Sequence, residues 1–569
     1  RFELAAGQAH DVSWPVATPV GVSALPWRVS VRDLAGTARD QIKVTQQVIP
    51  AFPVRTYQAT IAQLTSPLSM PAQRPKGAVP GRGGIEVTLR AKLGDGLDGV
   101  REYMSGYPYS CFEQQASRAM ALRDRARWDA LMERLPAYLD RDGLIKYFPS
   151  DWIEGDDALS AYILAIASEG GYEVPEAERQ RIILALQRVV AGKLVRRSAL
   201  PTADLSIRKL AAIEALSRHG AAQPGMLDSI SIDPNLWPTS AVIDWLGILD
   251  RVKGVKQAAA RRDAALTILR SRLNFQGTIM TFSSERRDSL WWLMISGDSN
   301  ANRMLLAVLG ESGWREDIPR LVRGALGRQQ YGHWNTTVAN VWGVLAMEKF
   351  SRSFESVPVS GATGVRYADQ RPVVKWPQPK GEAQLTLPWA QGQSSLGIAH
   401  IGGGAPWVMV RATAALPLEA PLFTGFKVIR TVSPLEQQHA GSFTRGDVVR
   451  VHLDLEAQSD MSWVVVDDPI PAGATVLGSG LGGQSELSQR GERAEGWAWP
   501  AFEERRFDGY RGYYRFVPKG RWSVEYTVRL NNPGTFQLPA TRVEAMYAPE
   551  MFAEVPNAVV TVDAAPPAP

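Results

Sequence analysis

Residues 106–115 read GYPYSCFEQQ and contain Cys111, the one cysteine of the 569-residue chain. A single thiol closes no intrachain disulfide and cannot supply the ligands of a zinc site alone. Gln114 follows three positions later, and side chains three apart are neighbours on a helix. In the first turn of a helix the Cys111 sulfur would reach the side-chain carbonyl carbon of Gln114. Loss of ammonia would then leave an internal thioester, an acyl donor stored in the fold.

A stored thioester has to be kept from water until it is used. Tyr107, Tyr109 and Phe112 supply apolar bulk beside the Cys111–Gln114 pair. We predict that at least one of the two tyrosines covers the bond, with further cover from a β domain at the C-terminal end of the chain. The alternative is that both tyrosines only anchor the entry to the helix.

Two other interpretations of Cys111 remain open from the residues alone. A lone cysteine is often a small buried apolar residue. A catalytic thiol needs a base, usually histidine. The helical part of the chain holds His219 and His333, and neither lies in a recognisable cysteine-protease context.

The bulk composition is that of an ordinary globular protein, with 45% hydrophobic and 21% charged residues. Single cores stop growing near ~250–300 residues, so the length predicts several domains. A net charge of +5 is weak over this length, and without a run of Lys or Arg it does not indicate a nucleic-acid surface. The longest apolar stretches are shorter than the ~20 residues that a membrane span needs.

The period of the apolar pattern changes twice. Residues 1–50 and 50–95 alternate as strands do, with a long exposed loop predicted at 65–84. Helical spacing follows to about residue 352, with about ten helices, one of them predicted at SLWWLMISG. Strands return after about 355, and the last part of the chain looks like an antiparallel sandwich. We therefore expect one β domain to be interrupted by the helical domain.

Several segments together resemble the bacterial alpha-2-macroglobulins. The stretch GYPYSCFEQQASRAMAL is similar to the thioester region of that family. Two further segments resemble its helical domain and two its C-terminal macroglobulin-like domain: YFPSDWIEGDDALSAYIL, GHWNTTVANVWGVLAMEKF, VVVDDPIPAGATVL and RLNNPGTFQLPATRVEAMYAPEMFAE. The similarity covers nearly the whole chain, which we expect to be the C-terminal portion of a longer protein.

The resemblance implies a multidomain α+β fold. It is an α/α toroid thioester domain inserted in a split CUB-type β domain, flanked by macroglobulin-like β-sandwiches. The implied domains are the end of a sandwich, the first CUB part, the toroid, the second CUB part and the C-terminal sandwich, at residues 1–50, 51–95, 96–352, 353–415 and 416–569.

The resemblance also implies a function. An attacking protease cuts an upstream bait region, and one of its lysine amines attacks the carbonyl carried by Gln114. Cys111 leaves as a thiolate, which is a better leaving group than an amine. The implied protein is a one-shot endopeptidase inhibitor, not an enzyme. It needs no cofactor or metal and acts in the periplasm, associated with the inner membrane through a missing N-terminal anchor.

Three positions qualify the resemblance. Ser110 stands where the family usually has glycine, which would strain the chain if the position needs a positive φ. Phe112 stands where leucine or glycine is commoner. His219 is a candidate for passing the acyl group to hydroxyls, but its position at a helix C-terminus explains it equally well.

Two functions from other classes stay open. An α/α-toroid carbohydrate enzyme would use Asp151 or Asp156, although Asp156 or Asp157 is also suited to capping the next helix. Its sugar platform would come from four tryptophans that we favour as core residues: Trp291, Trp292, Trp334 and Trp342. The third function is a structural scaffold with an inert Cys111. The stretch FEERRFDGYRGYYRF predicts a solvated strand pair.

Overall fold

The computed structural model describes residues 22–36, 39–230, 232–276, 279–282, 289–392, 394–478 and 495–564, together with residue 492 and scattered positions before 22. The chain divides into two compact units, Arg1–Pro53 and Val54–Pro569. The strand pattern expected at residues 1–14 lies largely outside the described residues. No described helix is both long and apolar enough to cross a membrane.

The first unit contains an antiparallel ribbon. Strand β1 (Ala24–Arg32) pairs with β2 (Arg39–Gln47) in an unbroken register from Ala24 opposite Gln47 to Arg32 opposite Arg39. Both strands were predicted from their alternating residues. Assignment of this unit to a macroglobulin-like sandwich stays a prediction.

The second unit begins and ends with strands. The strands outside the helical region are β3 Val54–Gln63, β4 Leu68–Pro71, β5 Gly83–Arg90, β8 Gly361–Tyr367, β9 Val373–Trp376, β10 Glu382–Leu387, β11 Ser395–Ile401, β12 Trp407–Ala415, β13 Leu422–Thr424, β14 Phe426–Glu436, β15 Phe443–Thr444, β16 Val448–Ala457, β17 Met461–Pro469, β18 Thr475–Val476, β19 Phe502–Arg505, β20 Gly509–Val517, β21 Gly520–Arg529, β22 Gly534–Phe536, β23 Thr541–Ala545, β24 Ala548–Val555 and β25 Val560–Asp563.

The helical region lies between β5 and β8. Its α-helices are α1 Asp98–Gly106, α2 Phe112–Ala121, α3 Arg125–Glu133, α4 Leu135–Tyr138, α5 Asp157–Gly170, α6 Glu176–Val190, α7 Leu205–Arg218, α8 Thr239–Arg251, α9 Ala258–Ser271, α10 Gly297–Val308, α11 Ile318–Gly327 and α12 Thr337–Phe354, with a small hairpin of β6 Leu273–Gln276 and β7 Ile279–Phe282. The mixed α+β class is therefore confirmed.

Strands from both sides of the helical region pair with each other. One sheet has the order β10-β5-β12-β3 and the other β4-β11-β8-β9, so each combines strands from before and after the helices. The inward residues share one apolar core that includes Val87, Leu396 and Val408. Strand β4 corrects the sequence prediction of a single loop at 65–84, because its residues 68–71 pair with β11.

The two ends of the helical region lie next to each other beside these sheets. The backbone N–H of Leu93 donates to Glu355 Oε2 at 2.8 Å, which ties the start of the helical region to its end. Arg90 donates to Asp98 at 2.6 Å between the last strand and the first helix. These bonds fix the root of the helical region on the sheets.

The helices have the caps that their sequences indicate. Asp156 accepts a hydrogen bond from Leu159 N–H at 2.9 Å and so caps α5, which confirms the capping interpretation of the acidic cluster. Gly171 ends the same helix in the left-handed conformation. The predicted helix at SLWWLMISG is wrong: residues 291–293 form a single 3-10 turn that ends at Met294, whose φ is +59°.

The last strands form two facing sheets, β13-β24-β23-β17-β20-β19 and β14-β16-β21-β18, as predicted for an antiparallel sandwich. A buried carboxylate joins the sheets. Asp468 on β17 accepts from Arg430 on β14 at 3.0 Å and from the hydroxyls of Tyr526 and Thr541. Because Asp468 is fully buried, these donors replace the water it loses.

Helix α12 packs closely against the indole of Trp334, which predicts the effect of a small substitution. A Cβ added at Gly343 would overlap that buried ring, whereas one at Gly327 would meet open space. Alanine improves helix propensity by about 1 kcal/mol, but overpacking costs about 1–3 kcal/mol. We expect Gly343→Ala to lower the midpoint of thermal unfolding and Gly327→Ala to leave it unchanged or raise it. Equal midpoints in the two variants would contradict this packing.

Candidate functional site

The site lies where α1 ends and α2 begins. Tyr107 has φ −63° and ψ 122°, the extended conformation favoured before a proline, and Pro108 follows it. Helix α1 therefore stops, and residues 107–110 cross to the start of α2. Cys111 is the N-cap of α2, with φ −64° and ψ 166°.

Cys111 and Gln114 are joined by reciprocal hydrogen bonds. The Cys111 sulfur accepts from the backbone N–H of Gln114. The Gln114 side-chain oxygen accepts from the backbone N–H of Cys111 at 3.1 Å. This is the capping-box arrangement, with a sulfur in the place of the usual hydroxyl. The thioester itself stays a prediction.

The thiol is held in its neutral form. The side chain of Cys111 is fully buried. Burial and the nearby Glu113 carboxylate raise the pKa of the thiol well above its usual value, and hydrogen bonds from two backbone amides and Tyr547 offset part of that effect. At neutral pH the group is therefore a shielded thiol and not a reactive thiolate.

The three aromatic residues predicted to shield the pair take different positions. The Gln114 amide nitrogen lies 3.4 Å from the Tyr107 hydroxyl, so Tyr107 contacts the pair directly. Tyr109 packs edge-on against Tyr107, with ring centroids 5.5 Å apart. Phe112 is fully buried and packs on Tyr138, at 4.8 Å between centroids. Their shielding role stays a prediction, for which Tyr107 is the best placed.

The turn between β23 and β24 supplies two further residues at the pair. Met546 Sδ lies 3.0 Å from the Gln114 amide nitrogen. Tyr547 donates to Glu113 at 2.8 Å, and its hydroxyl also lowers the pKa of the Cys111 thiol. Sequence reasoning placed no residue of this turn at the site. The available signal was two large apolar residues at a turn, where small polar residues are usual.

Two more aromatic residues of the sandwich dock on the helical region beside the pair. Trp463 packs on Tyr147 with the rings tilted by 38° and their centroids 4.0 Å apart. Tyr513 packs on Phe148 at 4.8 Å. The backbone carbonyl of Tyr147 accepts a hydrogen bond from the backbone N–H of Phe112 at 2.8 Å. Tyr147 therefore links Trp463 to the first turn of α2. The strand pair β19–β20 was predicted, but it is not solvated, because Tyr513 is fully buried at this interface.

Trp463 occupies a strained backbone position. Its φ is +51°, and the β17–β20 pairing is interrupted at Trp463, between Ser462 and Val464, without a change of register. A left-handed conformation costs an L-residue about 1–2 kcal/mol. The indole packs on Tyr147 of the helical region, so contact between the two regions offsets this strain.

Polar contacts align the same surfaces. Ser110 donates from its hydroxyl to Glu504 at 2.6 Å, and Arg511 donates to the carbonyl of Pro108 at 3.0 Å. Ser110 is not among the residues with positive φ, so serine at this position carries no backbone strain. Its hydroxyl instead links the start of α2 to the sandwich.

The remaining predicted residues lie outside this pair. His219 ends α7 and its Nε2 lies 3.3 Å from the carbonyl of Leu164, which agrees with the helix-terminus interpretation. Burial lowers the pKa of His219. His333 stacks on Tyr103 at 3.7 Å, and burial lowers its pKa to about 4, so it is neutral at pH 7.

The residues of the carbohydrate-enzyme hypothesis are accounted for by structure. Asp151 is exposed, and Asp156 is the helix cap described above. Trp334 and Trp342 are core residues. Trp291 is half-buried against the core, and Trp292 donates to Asp204 at 2.9 Å.

The described structure is a helical region with a buried Cys-x-x-Gln pair, covered by a terminal β-sandwich. Residues 425–550, which form most of that sandwich, match the family model described as Bacterial Alpha-2-macroglobulin MG10 domain.

The curated relatives agree. The alpha-2-macroglobulin of Escherichia coli is 24% identical over 615 residues, covering 96% of this chain and 34% of that protein. An alpha-2-macroglobulin homolog of Nostoc sp. is 23% identical over 282 residues, covering 46% of this chain and 14% of that protein. The chain therefore spans about a third or less of these relatives.

A solved structure has the same fold. The native E. coli alpha-2-macroglobulin fragment spanning domain MG7 to the C-terminus superposes with a TM-score of 0.69 at 20% identity, covering 95% of this chain and 88% of that chain. The resemblance found in the sequence is thus confirmed. The matches indicate the bacterial alpha-2-macroglobulin family and align this chain with its C-terminal portion.

The Trp463 contact predicts how firmly the sandwich covers the pair. Trp463→Gly removes the indole and relieves the positive φ, so the sandwich should stay folded while its contact with Tyr147 weakens. We expect faster deuterium exchange in peptides covering residues 107–120. Trp499→Ala is the matched control, because Trp499 is 67% exposed in the same sandwich. Unchanged exchange in Trp463→Gly would show that other contacts hold the cover.

Proposed function

We propose that this chain is the reactive portion of a bacterial endopeptidase inhibitor, which traps proteases through a Cys111–Gln114 thioester. The observation that carries the proposal is the reciprocal hydrogen bonding of the two side chains in a fully buried site.

The thioester would form within this geometry. The Cys111 sulfur attacks the Gln114 side-chain carbon, the carbon–nitrogen bond breaks and ammonia leaves. The carbonyl oxygen carries negative charge during that step, and the backbone N–H of Cys111 already donates to it at 3.1 Å. A donor preorganised at the developing charge stabilises the transition state without moving. The same donor would serve when an amine later opens the bond.

Release of the cover would turn the stored bond into a trap. Met546, Tyr547 and Trp463 all belong to the sandwich and would leave the site together if it moved. A lysine amine of an attacking protease would then reach the Gln114 carbonyl carbon and form an amide, with Cys111 as the leaving group. Each chain reacts once, so the protein is an inhibitor and not a catalyst. Action in the periplasm belongs to the same proposal.

The domain arrangement of the family is also part of the proposal. The helices between β5 and β8 would be the α/α toroid thioester domain, at residues 96–352. The two mixed sheets around them would be the CUB-type domain, split between 51–95 and 353–415. The split is supported by the pairing of β5 with both β10 and β12 across the helical region. Residues 1–50 would end one macroglobulin-like sandwich, and 416–569 would form another.

The competing scaffold hypothesis differs in one measurable way. A thioester makes the intact protein lighter by one ammonia and leaves no free thiol. We expect freshly purified protein to have this lower mass and to ignore thiol reagents, and methylamine to expose one thiol per chain. Cys111→Ala should have the unmodified mass and release none. If the wild-type thiol stays hidden after methylamine, Cys111 is only a buried residue.

The contacts rank the predicted shielding residues. Tyr107 contacts the Gln114 amide, whereas Tyr109 packs one layer farther away. Tyr107→Ala should therefore shorten the lifetime of the thioester in water by more than Tyr109→Ala, with the fold preserved by circular dichroism. The rate is measured by intact mass, as the fraction of protein that is lighter by one ammonia falls with time. Wild-type lifetimes in both variants would assign the cover to the sandwich alone.

A further inference from the structure

A carboxylate lies inside the site and has no role in the mechanism described so far. Glu113 lies between Cys111 and Gln114 in the sequence, and it is fully buried in the fold. One carboxylate oxygen accepts from the hydroxyls of Ser117 at 2.6 Å and Thr337 at 2.8 Å. The other accepts from Tyr547 at 2.8 Å. Burying a carboxylate without a cation is costly, and within the described part of the chain no ion pair compensates Glu113.

The donors come from three separate elements. Ser117 is on α2, Thr337 begins α12, and Tyr547 belongs to the sandwich. The first two stay with the helical region when the sandwich moves, but the third leaves. The Tyr547 hydroxyl also lowers the pKa of the Cys111 thiol, so it lies near both groups. One hydroxyl therefore separates the carboxylate from the reacting sulfur.

Glu113 is the group of this cluster suited to exchange a proton. Burial raises its pKa and the three hydroxyl donors lower it, with burial the larger effect. The other titratable groups that face it all have raised pKa values and stay protonated at neutral pH: Cys111, Tyr103, Tyr107, Tyr147, Tyr162 and Tyr547. A carboxylate whose pKa is raised toward neutral pH is an effective general base.

We propose that Glu113 is the general base of the amine transfer, and that the docked sandwich keeps it inactive through Tyr547. This inference rests on the proposed thioester function. While the sandwich is docked, Tyr547 occupies the outer carboxylate oxygen and covers the sulfur. When the sandwich withdraws, that oxygen loses its hydrogen-bond donor and is free to accept a proton. Removal of the cover and activation of the base are then one event.

The transfer balances with the groups present. The amine nitrogen bonds to the Gln114 carbonyl carbon, and the carbon–sulfur bond breaks with its electron pair going to Cys111. The proton lost by the amine goes to the Glu113 carboxylate. Because a thiol is a weaker acid than a carboxylic acid, the new carboxylic acid can return that proton to the thiolate. The products are an amide and a neutral thiol, and Glu113 is again a carboxylate.

The test measures thiol release as a function of pH. Intact mass first establishes the thioester content of each preparation. Trifluoroethylamine is the probe, since this weakly basic amine stays unprotonated across the neutral range and the pH profile then reports the protein. In the wild type the rate should rise through the pKa of Glu113 and level off. In Glu113→Gln it should be lower by about 10²-fold or more and independent of pH.

Tyr547→Phe separates the base from the cover. It keeps the ring but removes the hydroxyl, so thiol release should become faster and its pH midpoint should rise. Adding Glu113→Gln should abolish most of that gain, because the two residues act on each other. If Tyr547→Phe accelerates release equally with and without Glu113, the proposal is overturned and Tyr547 is only a cover.

Thr337→Val provides a readout that does not require removal of Glu113. Valine has the shape of threonine but donates no hydrogen bond, so the charged carboxylate is less stabilised and the pH midpoint should shift upward. An unchanged midpoint would overturn the proposal even if Glu113→Gln formed no thioester. Absence of thiol release from the wild type is a different result, which would remove the proposed function and this inference together.

Discussion

The site depends on excluding water from the first turn of α2 by contact between regions far apart in the sequence. The apolar core of the helices does not stop at their surface. It continues through Tyr147 into Trp463, Tyr513 and the Met546–Tyr547 turn of the sandwich. The N-terminus of a helix normally meets solvent or a polar partner. Here the sandwich closes it, and the Cys111–Gln114 pair lies within a continuous interior that only domain separation can open.

The contacts that close the site differ in what they contribute. Aromatic pairs such as Trp463 with Tyr147 lie across the interface, and such pairs contribute about 0.5–1.5 kcal/mol beyond burial. The few polar links, among them Ser110 with Glu504 and Arg511 with Pro108, fix how the surfaces align. Their loss leaves buried groups unsatisfied, so a partly opened interface is disfavoured. The closure is consequently suited to two states, docked and released.

The helical region can serve as a fixed base for this closure because both of its ends are rooted at one place. The Leu93–Glu355 bond joins the entry and exit of the chain, and β5 is paired on both sides by strands that follow the helices. Helix α12, which ends at that root, also carries Thr337 into the site. One helix therefore runs from the sheets to the hydrogen bonds of Glu113.

The sequence by itself determined the local features of this protein. Residue spacing predicted most of the strands and helices, the Asp156 cap and the Cys111–Gln114 proximity, because each depends on neighbours within a few positions. It misassigned β4, whose pairing partner lies more than 300 residues away, and SLWWLMISG, where tertiary packing overrides an apolar pattern. Only the tertiary structure decided that Met546, Tyr547 and Trp463 meet α2. Those contacts follow from how two separately folded surfaces dock, which no local pattern encodes.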